Sequence, residues 1–141
     1  MRKQPPQLSI IVPAYTEQDR IGANLLAIKK YVEQRHVTYE ILVIVDGSPN
    51  DTAAIARGYS TVIKHMRVIA NPHNLGKGAV VRQGLLRARG AYRVFLDADG
   101  STSITHMDRA LQLLHDGADM VVGSRAIDGA YVQVRQPLYR E

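Results

Sequence analysis

Residues 41–52 read ILVIVDGSPNDT. The first five side chains of this stretch are all apolar, without the alternation that marks a strand with one solvent-exposed face. Such a run predicts a strand that is buried on both faces, as in a parallel sheet. An acid and a series of turn-forming residues follow it directly, so the strand is expected to end at Asp46 in a polar loop.

Four further apolar runs of strand length are separated from it and from one another by segments with helical spacing. These runs are Leu8 to Val12, Arg67 to Ala70, Tyr92 to Leu96 and Met120 to Val122. Between the first run and Ile41, apolar residues recur every three or four positions and form one helical stripe: Ile21, Leu25, Ile28 and Val32. Strand and helix thus alternate through five strands, which predicts an α/β fold with a mostly parallel sheet and helices on both faces.

Small polar residues and glycines indicate where these helices begin and end. The candidates are Thr16 with Asp19 as the cap of the first helix, Asn50 or Asp51 for the second, Ser103 for the last, and Gly90 as the stop of the third.

The composition is that of one globular domain. The chain has 141 residues, of which 45% are hydrophobic and 22% charged, values that exclude a disordered or collagen-like chain. Residues 1–141 are therefore expected to form a single domain. The absence of cysteine excludes disulfides, thiolate zinc sites and cysteine nucleophiles. No apolar stretch approaches the ~18 residues needed to span a bilayer, so a soluble or peripheral protein is expected.

The formal net charge is +5, and arginine outnumbers lysine. Because a guanidinium group can hold two phosphate oxygens at once, a phosphate-bearing partner is one interpretation of this excess, and a solvated basic surface is the other. A nucleic-acid partner is not expected, since only 6% of residues are aromatic and no basic helix carries interleaved aromatic residues.

Every predicted strand is followed by polar or glycine-rich residues, whereas the connections from helix to strand are plainer. Ligands of parallel α/β sheets bind beyond the carboxyl ends of the strands, so this asymmetry predicts a binding site there. Asp97 and Asp99 follow the fourth strand, and residues two apart on an extended chain point to the same side. Oxygen ligands of this kind favour Mg²⁺ or Mn²⁺, and capping of the next turn is the alternative. Asp46 is either a ligand-binding acid or a turn residue.

The glycine-rich turn LGKG, residues 75–78, precedes the third predicted helix. Gly78 replaces the Ser or Thr of a P-loop, and Val81 replaces the third glycine of a dinucleotide fingerprint, which leaves an NAD-type fold as a minor alternative. Lys77 is either available to a phosphate or a base at the helix N-terminus, or simply solvated. Arg125 and Arg135, after the fifth run, either hold a diphosphate or an acceptor phosphate or are simply solvated.

Five segments in this order resemble the family 2 glycosyltransferases of the GT-A fold: SIIVPAYTE, VDGSPNDT, NLGKG, FLDADGS and VVGSR. Together they span residues 9–125, which is most of the chain. They are most similar to the branch that transfers a sugar from a nucleotide donor to dolichyl or another polyprenyl phosphate. The DADGS form of the fourth segment and the ending VQVRQPLYRE resemble the dolichyl-phosphate glucosyltransferases more than the mannosyl enzymes. The resemblance implies a Rossmann-like GT-A nucleotide-sugar-binding fold.

The resemblance also implies roles for the residues that match the family's motifs. The nucleotide-binding residues that it implies are Pro13, Ala14, Tyr15, Glu17, Asp46, Lys77, Asp97 and Ala98. Asp97 and Asp99 match the D-x-D motif that holds Mg²⁺ or Mn²⁺ on the donor diphosphate. The implied catalytic residues are Asp99, Arg125 and Arg135, with the two arginines near the acceptor phosphate.

The implied reaction is an inverting transfer of a hexose from a nucleotide sugar to dolichyl or polyprenyl phosphate at the cytoplasmic face of a membrane. UDP-glucose is the favoured donor and GDP-mannose the alternative. A phosphate monoester, whose second pKa is about 6, is largely dianionic at neutral pH and needs no general base.

Members of the family continue well past the position of Glu141. The chain is therefore expected to be a partial catalytic domain that holds the donor side, or to complete its acceptor side as a homo-oligomer. The alternatives to the glucosyltransferase are a nucleotide-sugar-binding module without turnover and a GDP-mannose-dependent polyprenyl-phosphate mannosyltransferase.

Overall fold

The computed structural model describes residues 4–124. Its strands are β1 (Leu8–Ala14), β2 (Tyr39–Asp46), β3 (Met66–Asn71) and β4 (Tyr92–Phe95). Its helices are α1 (Ile21–Gln34), α2 (Thr52–Tyr59), α3 (Lys77–Arg87) and α4 (Met107–His115), the last preceded by a 3-10 helix at Ile104–His106. The chain divides into two compact units, of which the first ends at His106 and contains β1 to β4, and the second begins at Met107 and contains α4. The alternation confirms the predicted α/β class.

The strands form a parallel sheet in the order β3-β2-β1-β4. From β1 the chain steps outward through β2 to β3, and it then returns to the other side of β1 to form β4. Because crossovers between parallel strands are right-handed, α1 and α2 lie on one face of the sheet and α3 on the other. The strand order therefore reverses between β1 and β4.

The core lies on both faces of the two central strands. Ile11, Leu42 and Ile44 are fully buried and pack with Val80 and Ala88, at α3. Side chains alternate along a strand, so their neighbours in sequence point to the opposite face. Those neighbours, Ile10, Val12, Ile41, Val43 and Val45, are at most 1% exposed. The prediction drawn from the continuous apolar runs is confirmed for β1 and β2.

The predicted fifth strand at Met120 to Val122 is wrong. Within residues 4–124 these three residues belong to no strand, and the side chains of Met120 and Val122 are 79% and 75% exposed. A strand needs a neighbouring backbone to pair with, and a short apolar triplet indicates a tendency towards burial without supplying that neighbour.

Two of the predicted helix boundaries are also wrong. Thr16 does not cap α1: it has φ +54°, its N–H donates to Ser48 Oγ at 3.0 Å, and α1 begins at Ile21. Gly90 lies three residues past the end of α3, where its N–H donates to Ser9 Oγ at 2.8 Å. A Cβ at Gly90 would lie 2.6 Å from Ser9 N, so glycine is needed there for a close approach of two backbones.

Two other helix boundaries follow the sequence. The side-chain oxygen of Asn50 accepts the N–H of Thr52, the first residue of α2, at 3.2 Å. Ser103 Oγ accepts the N–H of Thr105 at 3.3 Å, at the start of the 3-10 helix.

A buried carboxylate joins the strands near their amino ends. The side chain of Glu40, in β2, is 3% exposed and accepts hydrogen bonds from Ser9 Oγ at 2.7 Å and from the Arg89 N–H at 2.6 Å. The guanidinium groups of Arg67 and Arg89 reach its Oε2 at 3.3 and 3.2 Å. Burial acts to raise the pKa of Glu40, but the hydrogen bonds from Ser9 and Arg89 and the charge of Arg89 outweigh it, so that the pKa lies below its ordinary value.

We expect Glu40→Gln to destabilise the fold and to reduce its sensitivity to acid. A lowered pKa in the folded chain means that ionised Glu40 contributes stability above its unfolded value of 4.5, and that this contribution is lost as the pH falls through the folded pKa. At pH 7 the lost charged hydrogen bonds should cost about 1 to 3 kcal/mol, because the two arginines are half-exposed. Urea unfolding at pH 7 and at pH 4 measures both effects.

Glu33→Gln is the matched control, because it removes an exposed carboxylate that pairs with Lys29 at 2.8 Å. Its cost should stay below about 0.5 kcal/mol. An acid sensitivity of Glu40→Gln equal to that of the wild type would contradict this role of Glu40.

Candidate functional site

The carboxyl ends of β1 and β4 flank the point at which the strand order reverses. In open α/β sheets, ligands bind in the crevice outside this point. Tyr15 and Glu17 follow β1, and the turn Asp97 to Asp99 follows β4. The structure therefore places two of the predicted motifs at the edge where a ligand is expected.

Contacts from two helices hold the turn after β4. Asn24 in α1 donates its side-chain N–H to the backbone oxygen of Asp97 at 3.0 Å, and Lys77 at the start of α3 places Nζ 2.6 Å from Asp97 Oδ1. Ala98 is buried. Asp99 Oδ1 accepts the N–H of Ser101 at 2.9 Å. The structure thus brings together Lys77, Asp97, Ala98 and Asp99, which the sequence analysis had selected from two separate segments.

The charge of the site is balanced by two basic residues. Burial acts to raise the pKa of Asp99, but hydrogen bonds from Ser101 and the positive charges of Arg20 and Lys77 outweigh it, so that the pKa lies below its ordinary value. Arg20 also lies 2.9 Å from Glu17 Oε2 through its NH2 group. Asp99 is therefore ionised at neutral pH, and the positive charges of Arg20 and Lys77 act on its carboxylate.

Sequence reasoning missed Arg20 and Asn24. Neither belongs to a motif, and Asn24 is 73 residues from the backbone oxygen that it binds. Their place at the start of α1 brings them to the site only when this end of the helix lies against the turn after β4. No local signal could have identified them.

Asp46 is buried at the carboxyl end of β2, and both of its oxygens bind backbone groups. Oδ1 accepts the N–H of Leu75 at 2.8 Å, and Oδ2 accepts the N–H of Gly76 at 2.9 Å. Gly47 has φ +62°, and a Cβ there would collide with the backbone of His73. The loop after β2 therefore packs directly on the segment that leads into α3, and Asp46 sets the position of the α3 N-terminus. The sequence had left the role of Asp46 open between ligand binding and turn formation.

The motif after β1 contributes mostly backbone to this edge. Pro13 and Ala14 lie within β1 and are in register with Ile44 and Val45 of β2. Tyr15 is 47% exposed, so its ring is open to solvent at the end of the strand. The N–H of Glu17 donates to Thr52 Oγ1 at 3.0 Å, which joins this segment to the start of α2.

The donor set at the D-A-D turn fits a hard divalent cation. Residues 4–124 contain no group of three or more His, Asp and Glu side chains that could hold a metal ion by themselves. The contacts described above engage Oδ1 of Asp97 and Oδ1 of Asp99, and a carboxylate has about four lone-pair sites. Two carboxylates with spare acceptor capacity suit Mg²⁺ or Mn²⁺, which bind through few protein groups and complete their shell with phosphate oxygens and water.

Arg125 and Arg135, the predicted acceptor-side residues, lie outside the described residues. Within residues 4–124, no helix is both long enough and apolar enough to cross a bilayer.

The fold defines the class of protein. It resembles the crystal structure of S. aureus TarS 1-349 in complex with UDP, with a TM-score of 0.65 and 24% identity over 96% of this chain and 40% of that chain. It also resembles the mannosyltransferase PcManGT from Pyrobaculum calidifontis in complex with GDP-Man and Mn²⁺, with a TM-score of 0.58 and 24% identity over 69% of this chain and 28% of that chain. The sheet and helices are those of a GT-A glycosyltransferase fold.

The sequence identifies the family within this class. The model of glycosyl transferase family 2 matches residues 9–140. The chain is 41% identical over 135 residues to dolichyl-phosphate beta-glucosyltransferase of Drosophila melanogaster, covering 85% of this chain and 41% of that protein. It is 33% identical over 117 residues to the Homo sapiens protein of the same name, covering 78% and 36%. The chain belongs to glycosyl transferase family 2, and it spans about two fifths of the length of these relatives.

We expect Asp46→Asn to loosen the N-terminus of α3. An amide retains one acceptor oxygen and turns its N–H₂ group towards the other backbone N–H, so one of the two partly buried hydrogen bonds to Leu75 and Gly76 is lost. The cost should be about 1 to 3 kcal/mol in the free energy of unfolding. Hydrogen exchange at the amides of Leu75 and Gly76 should become faster.

Asp51→Asn is the control for that substitution, because Asp51 is exposed and its side chain makes no capping hydrogen bond to α2. If the Leu75 and Gly76 amides exchanged equally slowly in Asp46→Asn, the assigned role of Asp46 would be wrong.

Proposed function

We propose that this chain is the donor side of an inverting glycosyltransferase that transfers glucose from UDP-glucose to dolichyl or another polyprenyl phosphate. The observation that carries the proposal is the Asp97-Ala98-Asp99 turn beside Lys77 at the reversal of strand order. It lies in a family 2 chain that is 41% and 33% identical to the proteins of Drosophila melanogaster and Homo sapiens named dolichyl-phosphate beta-glucosyltransferase.

In this proposal the donor nucleotide lies at the carboxyl edge of the sheet. Its binding residues are Pro13, Ala14, Tyr15, Glu17, Asp46, Lys77, Asp97 and Ala98. Asp46 acts mainly by fixing the backbone that leads into α3, as its two bonds to Leu75 and Gly76 indicate. The free N–H groups of the first turn of α3 and the ammonium group of Lys77 then face the anionic part of the donor.

Asp97 and Asp99 would hold Mg²⁺ or Mn²⁺, which when bound supplies positive charge to the leaving diphosphate. Asp99 suits this role because its carboxylate, whose pKa lies below the ordinary value, is ionised at neutral pH, as a metal ligand must be. Lys77 and Arg20 add positive charge from the protein itself.

The acceptor phosphate needs no general base, since it is already largely dianionic at neutral pH. One of its oxygens attacks the anomeric carbon in line with the leaving group. A new bond forms from carbon to phosphate oxygen, the bond from carbon to the diphosphate oxygen breaks, and the configuration inverts. We assign Arg125 and Arg135 to the acceptor phosphate, where a guanidinium would offset the repulsion between the two anions.

A lipid acceptor places the reaction at a membrane surface, and we propose the cytoplasmic side. The net charge of +5 supports this placement, because basic residues are attracted to the anionic lipids of the cytoplasmic leaflet.

The choice of donor can be measured by thermal unfolding with and without Mn²⁺. A ligand at 100 times its Kd stabilises the folded state by about 2.7 kcal/mol, and the tighter of two ligands at equal concentration stabilises it more. We therefore expect UDP-glucose with Mn²⁺ to raise the melting temperature more than GDP-mannose with Mn²⁺ does. A transfer assay with a polyprenyl phosphate completes the test.

Each result of this experiment has a distinct meaning. A larger shift with GDP-mannose would favour a mannosyltransferase, and binding without transfer would favour a nucleotide-sugar-binding module. A chain that binds neither nucleotide in the presence of Mn²⁺ would contradict the donor site.

We expect Asp99→Asn to abolish divalent-dependent transfer and the Mn²⁺-dependent part of nucleotide binding, with the melting temperature of the free chain little changed. The neutral amide is a poorer ligand for a hard cation, whereas Asp99 is only partly buried and its loss leaves the core intact. Asp116→Asn, which removes an exposed carboxylate from the end of α4, is the control. Activity that survives in Asp99→Asn would exclude Asp99 as a metal ligand.

A further inference from the structure

We propose that Lys77 is the resident counter-ion of Asp97, so that a divalent cation can bind Asp97 tightly only when a nucleotide diphosphate takes the ammonium group away. Cation and nucleotide would then bind cooperatively, with Lys77 as the link between them. The part of this inference that concerns the nucleotide rests on the proposed function. The part that concerns the cation rests on the contact between Lys77 and Asp97.

The position of Lys77 in α3 is the first argument. Lys77 is the first residue of α3, and the N-terminus of a helix carries partial positive charge, so a lysine is electrostatically disfavoured there. Its Nζ nevertheless lies 2.6 Å from Asp97 Oδ1. The carboxylate therefore offsets a repulsion that the helix itself creates, and helix formation gives no reason for a lysine at this position.

The backbone below this side chain is fixed, whereas the side chain is free to move. Asp46 binds the N–H groups of Leu75 and Gly76, the two residues before Lys77. The Lys77 side chain is 62% exposed on a flexible four-carbon stem. Its ammonium group can therefore leave Asp97 without any movement of α3.

A divalent cation and the ammonium group compete for Asp97. Two cations on one carboxylate repel each other, and Arg20 adds a further positive charge near Asp99. A free divalent cation thus meets an acidic pair whose charge is already largely neutralised from within the chain. The affinity of this pair for the cation should be low until more negative charge arrives.

A diphosphate supplies that negative charge at the same edge. Its oxygens can accept from the Lys77 ammonium group and from the first N–H groups of α3 together, in a short charge-assisted contact. Asp97 is then released for the cation, which also gains phosphate oxygens as ligands. By linkage, the cation must strengthen nucleotide binding by the same factor.

The test compares Lys77→Gln with the wild-type chain and with Lys29→Gln. Lys29→Gln also removes one positive charge and one ion pair, the contact of Lys29 with Glu33 at 2.8 Å. Lys29 is a suitable control because it lies more than two turns from the start of α1. Mn²⁺ binding is first titrated without nucleotide, by the loss of the electron paramagnetic resonance signal of free Mn²⁺. UDP binding is then measured by calorimetry with and without Mn²⁺.

We expect Lys77→Gln to bind Mn²⁺ about 1.5 to 5 times more tightly than the wild type without nucleotide, the factor that corresponds to an exposed ion pair. Lys29→Gln should match the wild type, and so should Lys77→Arg, which retains the charge. Mn²⁺ should strengthen UDP binding by a smaller factor in Lys77→Gln than in the wild type. The decrease in this factor should be at least as large as the increase in Mn²⁺ affinity measured without nucleotide.

The proposal would be overturned if Lys77→Gln bound Mn²⁺ with the same affinity as the wild type or more weakly. It would also be overturned if neither chain bound Mn²⁺. Weaker UDP binding with unchanged Mn²⁺ binding would mean that Lys77 contacts phosphate only. A wild-type chain that fails to bind UDP with Mn²⁺ would defeat the proposed function, while the titration without nucleotide still decides whether Lys77 competes with the cation.

Discussion

The burial of β1 and β2 on both faces is the constraint on which the rest of the structure depends. A strand with apolar side chains on both sides must be covered by two layers, and right-handed crossovers supply them only if the chain reverses direction across the sheet. That reversal puts β4 beside β1 and opens a crevice between their carboxyl ends. The same packing that hides Ile10 and Ile11 therefore also creates the place where a ligand can bind.

The two edges of the sheet use carboxylates in different ways. Near the amino ends, Glu40 is surrounded by donors from three other segments, and its charge is fully committed to holding strands together. At the carboxyl edge, Asp46 is similarly committed to backbone groups, whereas Asp97 and Asp99 keep acceptor capacity. A buried acid with all its oxygens bonded stabilises the fold, and an acid with oxygens to spare is suited to a cation.

The balance of charge at the candidate site connects structure with the proposed chemistry. Transfer between two phosphate-bearing substrates brings anions together, so positive charge is needed, yet a site that is too basic would not hold a divalent cation. Lys77 and Arg20 lie close enough to the acidic pair to neutralise part of its charge, and both are exposed enough to change partners. Under the proposals made above, the cooperative binding of cation and nucleotide follows from this balance and requires no movement of the helices.

The sequence by itself determined the α/β class, the strands β1 and β2, and the segments that carry the candidate site. It could do so because burial on both faces demands an apolar residue at every position, and because ligand-binding residues follow strands directly. It failed at Met120 to Val122 because an apolar triplet does not specify a pairing partner. It failed at Thr16 because Ser48, 32 residues away, is the partner that the Thr16 N–H binds. Only the tertiary structure decided that Asp46 binds Leu75 and Gly76, and that Arg20 and Asn24 reach the acidic turn. Those interactions join residues that are 29 to 79 positions apart, and no local pattern encodes which distant backbone group or charge will lie beside a side chain.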